Sequence, residues 1–331
     1  MKRVTILGLT VLVTAAVLVA APLLGLETID PRQVAGGAGA GPEARIFWSL
    51  RVPRVMLGFL AGAALSVGGL TFQALFRNAL ATPYTLGVSS GAALGATLAI
   101  RLGAAFSLLG IPAVSLAAFA GALLAVALVY GLARARRGCS ANIMLLAGVA
   151  VNFSFASLIL LVHYTSDAAA SFNILRWLMG RLDTVGPDEA LRLLPLVVVG
   201  GFVALALHRE LNLMSVDEEL AVSRGVDVDR YRVILFVTTS VMVGGVVAAC
   251  GPIGFVGMMV PHVCRLLIGP DHRWLGPMSL LAGGAFLVAC DVLARMLAAP
   301  AELPVGVLTA LLGGPFFLWL LVGRRGAACD A

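Results

Sequence analysis

Lysine is almost missing from this 331-residue chain: Lys2 is the only one, and all other formal positive charge is arginine. Phosphate-loop, Schiff-base and kinase-type sites each need a lysine within a folded element, so none of these chemistries is available. Charge of either sign is scarce, at 12% of residues against about 25% in soluble domains. Lys plus Arg number 23 and Asp plus Glu 17, too few to clothe a globule of this length, which excludes a soluble domain. The apolar excess equally excludes a disordered chain. The four histidines (163, 208, 262, 272) never stand four apart on a helix, so no paired metal ligands are indicated. The five cysteines (Cys139, Cys250, Cys264, Cys290, Cys329) form no C-x-x-C and are read as small apolar fillers. No catalytic group, metal or cofactor site is expected.

What the chain does have is apolar residues, 60% of the total, with a mean hydropathy of +1.01. They come in continuous runs rather than alternating, which excludes a membrane β-barrel and points to an all-α polytopic membrane protein. The first run, Val4 to Leu26, is 23 residues, longer than a signal-peptide core, and is read as a retained first helix. Further runs lie at 53–75, 85–109, 112–133, 141–164, 191–208, 231–250, 253–268, 275–299 and 304–323, making ten candidate spans. The eighth is short and carries Pro261, His262 and Arg265. Three polar stretches interrupt the runs, at 27–51, 165–190 and 208–230. Ten spans put both termini on one side. With that side cytoplasmic, fourteen basic residues lie inside and nine outside, the bias expected of a cytoplasmic face. The net charge of +6 is therefore assigned to topology rather than to nucleic acid. Residues 1–331 are read as one transmembrane domain, with 208–230 as a cytoplasmic loop.

Five places carry more information. In the loop 208–230, Ser215-Val216-Asp217-Glu218 fits a capping box and Gly225 suits a helix end, predicting a short helix over about 216–224. That helix is either an ordinary solvated element or a lever moved by a cytosolic partner. At the outer entrance of the second span, Arg51-Val52-Pro53-Arg54 places two arginines around a proline suited to opening a helix. They either anchor at the interface or offer charge to an acidic partner. The third place is Gln73 to Pro83, with Asn78, continuing to Gly87 and Gly91; Gly87, Gly91 and Gly95 recur every four residues and predict close helix packing. The fourth is Gly251-Pro252-Ile253-Gly254-Phe255 through Pro261 and His262. The fifth joins Asp291 and Arg295, four apart and able to pair, to Ala301-Glu302-Leu303-Pro304-Val305-Gly306.

Together these blocks resemble the FecCD-type permeases of binding-protein-dependent importers for ferric siderophores, haem and cobalamin. The resemblance runs from about Arg51 to Leu321. It departs from the family at Ala79, where Asn-Pro-Leu-Ala is usual. Glu219, Ala221 and Gly225 are similar to the Glu-Ala-Ala-x-x-x-Gly pattern of importer permeases, with Leu220 replacing the first alanine. The resemblance implies ten spans and a second copy of the permease around one pathway in the cytoplasmic membrane, in contact with membrane lipid. It further implies two cytosolic ATP-binding subunits and a periplasmic or surface-tethered substrate-binding protein, with no nucleic acid. By the same resemblance Arg51, Arg54 and Arg295 meet the binding protein. Ser215, Glu218, Glu219, Ala221 and Gly225 belong to ATPase coupling, and Gln73, Asn78, Gly87, Gly91, Pro261, His262 and Asp291 to packing or pathway. The alternative is an ion-coupled secondary transporter, for which Asp291 is the one carboxylate well inside a span. A membrane-embedded enzyme would need paired carboxylates or histidines within spans, and these are lacking. His163, near the outer end of the fifth span, is either a haem-facing or a hydrogen-bonded interface residue; the cargo stays open among siderophore, haem and cobalamin.

Overall fold

A computed structural model of the chain describes residues 2–25, 41–135, 140–297 and 301–323. The expectations resting on Arg32, Arg136, Arg137, Arg324, Arg325, Cys139 and Cys329 fall outside these residues. The order is α1 (Lys2–Ala20), α2 (Pro42–Ile46), a π-helical turn (Phe47–Arg51), α3 (Val52–Leu75), α4 (Val88–Arg101), α5 (Ala113–Ala135) and α6 (Ala141–Tyr164). There follow α7 (Ala168–Leu178), α8 (Asp188–Ala206), α9 (His208–Val216), α10 (Glu218–Ser223), α11 (Val228–Cys250), α12 (Val256–Ile268), α13 (His272–Leu297) and α14 (Val305–Gly323). A small hairpin, β1 (Ser107–Leu108) and β2 (Ile111–Pro112), pairs Ser107 with Pro112 and Leu108 with Ile111, antiparallel.

The fold is the all-α polytopic one the apolar runs predict, and each of the ten runs contains a helix. Among the described residues seven helical segments are long and apolar enough to cross a bilayer. Three runs fall short, one of them 304–323, whose helix counts among the shorter apolar ones over Val305–Leu320. The run 85–109 yields only the 14-residue α4, because the chain turns at Gly103 and again at Leu109–Gly110, all at positive φ, in the tight turn of the hairpin. The run 253–268 yields the 13-residue α12. At about 1.5 Å per residue, α12 covers about 20 Å, less than the roughly 30 Å of a hydrocarbon core. The polar stretch 165–190 contains an unforeseen helix, α7, capped by Asp167, whose Oδ1 accepts the Ala170 N–H at 2.7 Å.

Pro53 stands in the first turn of α3, as expected, but it does not begin the helical segment. Helical backbone continues upstream through the π turn. Proline lacks the N–H that the Ser49 carbonyl would accept in an α-helix, and that carbonyl instead takes the Gly186 N–H at 2.8 Å.

Helix α3 is the hub of the bundle, buried along most of its length, whereas α1 is exposed on most faces. Its close neighbours come in through glycine: a Cβ on Gly62 would overlap the Gly283 carbonyl of α13, and one on Gly69 the Gly257 carbonyl of α12. Gly91 and Gly95 meet Gly121 and Ala117 of α5 in the same way. Gly87 differs from its two partners in the repeat, since it is the left-handed N-cap of α4 (φ 86) and faces Val151 of α6. Two helices fix which elements share an end of the bundle. Helix α1 starts with Arg3 at 3.7 Å from Asp271 and finishes where Arg51 Nη1 donates to the Pro22 carbonyl at 3.1 Å. Helix α14 runs alongside α12, Gly313 against Phe255 and Phe316 against His262. Lys2 and Gly323 therefore lie toward the end that carries α9 and α10.

Candidate functional site

Two charged clusters sit at opposite ends of α3. At its first turn Arg54 points its fork at Asp291 of α13: Nε lies 3.0 Å from both carboxylate oxygens and Nη2 2.9 Å from Oδ1. The remaining Nη1 reaches Glu302 at 2.7 Å and Asp183 at 3.8 Å. Arg295 makes the expected pair with Asp291, at 3.2 Å, and donates to the Leu24 carbonyl at 3.4 Å. Arg51 donates to the Pro22 and Leu23 carbonyls. The three arginines expected to face a partner are thus brought together, but each is engaged within the chain. The part of Arg54 in holding Asp291 escapes a sequence reading, because 237 residues separate them. More accessible charge stands beside them: Arg176 and Arg181 lie 4.0 and 3.8 Å from Asp183, with side chains about half exposed. A cleft of about 500 Å³ opens here, lined by Arg51, Arg54, Asp183, Glu189, Arg295 and Glu302.

Between the clusters, Gln73 and Pro261 explain one another. Pro261 has no N–H for the Gly257 carbonyl, and the Gln73 Nε2 donates to that carbonyl at 3.3 Å. The Gln73 Oε1 accepts from Arg265 Nη2 at 2.9 Å, so the buried amide is used at both ends. His262 is buried edge-on to Phe316. Nearby, the Tyr84 hydroxyl accepts the Ile253 N–H, tying the irregular stretch before α4 to the one before α12. A cleft of about 230 Å³ lies between them, lined by Leu65, Leu80, Tyr84, Phe255 and Met258 among others.

At the far end of α3 the short helix is where the sequence predicts one, with a different N-cap. It spans Glu218–Ser223, and its N-cap is Asp217, whose Oδ1 accepts the Leu220 N–H at 2.9 Å. Ser215 is not the cap: it belongs to α9 and donates to the Asn212 carbonyl at 2.9 Å. A helix already occupies 208–216, so the chain breaks only at Asp217, the first position with extended backbone. Glu218, freed of the capping role, pairs with Arg232 of α11 at 2.7 Å and with Arg77 at 3.4 Å. Gly225 takes the left-handed conformation (φ 81) with open space around it, so conformation and not crowding requires glycine there. Ala221 faces inward and is buried, Glu219 is exposed, and Val216, Leu220 and Val222 are exposed beside it. Asn78 closes the neighbouring turn, accepting the Leu80 N–H at 2.9 Å, so the turn forms with alanine at 79. On the same end Asp271 accepts from Asn212 at 2.9 Å; this amide, with the Arg273 N–H and the Arg3 charge, holds its carboxyl below the ordinary range. Among the described residues no group of three or more His, Cys, Asp or Glu side chains is placed to hold a metal ion.

The profile of the FecCD transport family matches residues 9–323. The cobalamin import system permease protein BtuC of Halobacterium salinarum is 44% identical over 280 residues, covering 85% of this chain and 74% of that protein. The hemin transport system permease protein HmuU of Yersinia pestis is 40% identical over 283 residues, 85% of this chain and 84% of the other. The vitamin B12 import system permease protein BtuC of Klebsiella pneumoniae is 37% identical over 326 residues, 98% of this chain and 95% of the other. A solved structure of a metal-chelate type ABC transporter in an inward-facing conformation matches with a TM-score of 0.84 at 31% identity, over 97% of this chain and 99% of that one.

Proposed function

The chain belongs to the FecCD transport family; on that premise we propose that it is the permease of an ATP-driven importer carrying a metal chelate of the cobalamin or haem kind across the cytoplasmic membrane. The observation that supports this best is the two-ended construction of α3. One end carries a charged face with a cleft, suited to receiving a soluble partner, and the other carries a short helix with exposed Leu220 and Val222, beside exposed Val216 at the end of α9. Apolar side chains exposed outside the spans mark a protein contact, here with a cytosolic ATP-binding subunit. The α9–α10 end is then cytoplasmic, and both termini with it. ATP is hydrolysed by that other chain, since this one has no phosphate-loop lysine.

In this reading Arg51, Arg54 and Arg295 form the positive floor of the docking face for a substrate-binding protein. Arg176 and Arg181 make first contact, and Arg54 joins by releasing the half-exposed Glu302 while keeping Asp291. Two copies enclose the pathway, and ATP-driven rocking exposes it alternately to each side. The test is uptake by liposomes holding this chain with its ATPase subunits, supplied with binding protein and with labelled cobalamin, haem or a ferric siderophore. ATP-dependent uptake of cobalamin or haem is expected. Uptake of the siderophore alone would correct the cargo, and uptake driven by an ion gradient without ATPase subunits would replace this reading with a secondary transporter.

A further inference from the structure

Arg232 heads the largest fully buried side chains of the described residues, and it stands in the second turn of α11. Its Nη2 lies 2.7 Å from Glu218 Oε1, and its Nη1 donates to Asp229 at 3.2 Å. The same Glu218 oxygen accepts from Arg77 Nη2 at 3.4 Å, while Arg77 Nη1 lies 3.8 Å from Asp217, the cap of α10. Arg77 lies just beyond Phe76, the C-cap of α3, with φ 46, a conformation uncommon for a non-glycine residue. One carboxylate of α10 is therefore held at once by the start of α11 and the end of α3.

Helix α10 has six residues, of which only Ala221 is buried. A helix that short has no independent stability, so its position relative to the spans is set by what holds it. We infer that Arg232 and Arg77 are positioning residues for transport: through Glu218 they make α10 move as one body with α11 and α3, and so carry a displacement of α10 into the bundle. The inference rests on the proposed role of α10 as the ATPase contact, and adds two residues that touch neither nucleotide nor cargo. Arg232 is the stiff link, because withdrawing Glu218 would take the nearest carboxylate from a guanidinium that water does not reach, with Asp229 itself mostly exposed. Arg77 is the softer one, being substantially exposed and screened. Helix α3 then carries the motion along the bundle to the Arg54 end.

The experiment uses the full complex in liposomes and reads cargo transported per ATP hydrolysed, with co-purification of the ATPase subunits and melting in detergent beside it. Glu218→Gln and Arg232→Met are each expected to keep the ATPase bound and to lower transport per ATP about fivefold, and Arg77→Ala about twofold. Glu218→Gln combined with Arg232→Met is expected to be no worse than either alone, because the pair acts as a unit. The double variant leaves no unpaired buried charge, so it carries the test if Glu218→Gln fails to insert. Normal transport per ATP in the double variant would overturn the inference. So would additive losses, loss of ATPase binding in place of coupling, or failure of the double variant to fold, which would assign the tie to the fold alone. Absence of ATP-dependent uptake by the wild-type complex would count against the importer reading itself, and is distinguished by the wild-type arm.

Discussion

The charged clusters at the two ends of α3 are built from the same ingredients but are wetted very differently. At the Arg54 end the central carboxylate, Asp291, is nearly dry, and both arginines holding it are mostly covered. At the Arg77 end only Arg232 is dry; Glu218 is about a third exposed and Arg77, Asp217 and Asp229 more so. A dry, mutually satisfied cluster has one arrangement, because every alternative strands a charge. A half-wet cluster has alternatives, because water replaces a lost partner at small cost. The Arg54 end thus pins α1, α3 and α13 together, while at the Arg77 end only the Glu218–Arg232 link is stiff and the links through Arg77 can yield and return.

The strongest way to break this contrast is at Asp291. Asp291→Ala leaves Arg54 and Arg295 facing one another without the buried carboxylate between them, the half-exposed Glu302 and Asp183 remaining on Arg54 alone, and a loss of about 3–5 kcal/mol is expected. It would be seen as a large drop in melting temperature in detergent or failed insertion, whereas Asp217→Ala at the other end should cost far less; equal losses would erase the difference. Next is Gln73→Leu, between the ends, which strips the Gly257 carbonyl and Arg265 of their shared partner. About 1–3 kcal/mol is expected by the same melting assay, with Pro261 left in place. Gly225→Val should cost about 1 kcal/mol through backbone strain at φ 81, since nothing crowds the site. Its larger consequence is expected in transport per ATP, with docking of the binding protein intact; normal coupling in an assembled complex would show that α10 is not the lever.

Replacing both Arg176 and Arg181 with glutamate should move stability by less than about 0.5 kcal/mol. Binding-protein association should nevertheless slow and its salt dependence flatten, measured by surface-immobilised kinetics. Unchanged kinetics would confine docking to the covered arginines. The smallest effect concerns pH. The Asp271 carboxyl is depressed in the folded chain, chiefly by Asn212. Its contribution is therefore present above the ordinary carboxylate value of about 3.9 and disappears as pH falls through the depressed one. Asn212→Ala should lower melting slightly at neutral pH, and the gap to wild type should close on acidification; a gap that widened in acid would reverse the assignment.

Much of this was readable residue by residue, and the failures share a cause. Gly225 ends its helix as predicted because a left-handed cap is a local requirement. Ser215 failed as a cap because Ser-x-x-Glu is a local pattern that holds only if the chain before it is not already helical, and α9 runs through it. The Asp291–Arg295 pair was legible at four residues' separation, whereas Arg54 as the main partner of Asp291 was not. Pro53 reads as a helix opener, yet Gly186 from a distant loop meets the Ser49 carbonyl that proline leaves unpaired, and the helix continues upstream.

By itself the sequence determined the class of the molecule: its apolar runs, short of charge and nearly empty of lysine, admit only a helical membrane protein that hydrolyses no nucleotide at a phosphate loop of its own. It also singled out Arg54, Gln73 and Asp291, since polar groups are costly within apolar runs and stand out there. Which of them meet was decided only by tertiary structure. Each carbonyl released by a proline and each charge buried at a helix end needs a partner, and in a bundle that partner comes from whichever helix packs there, at sequence distances no local pattern encodes.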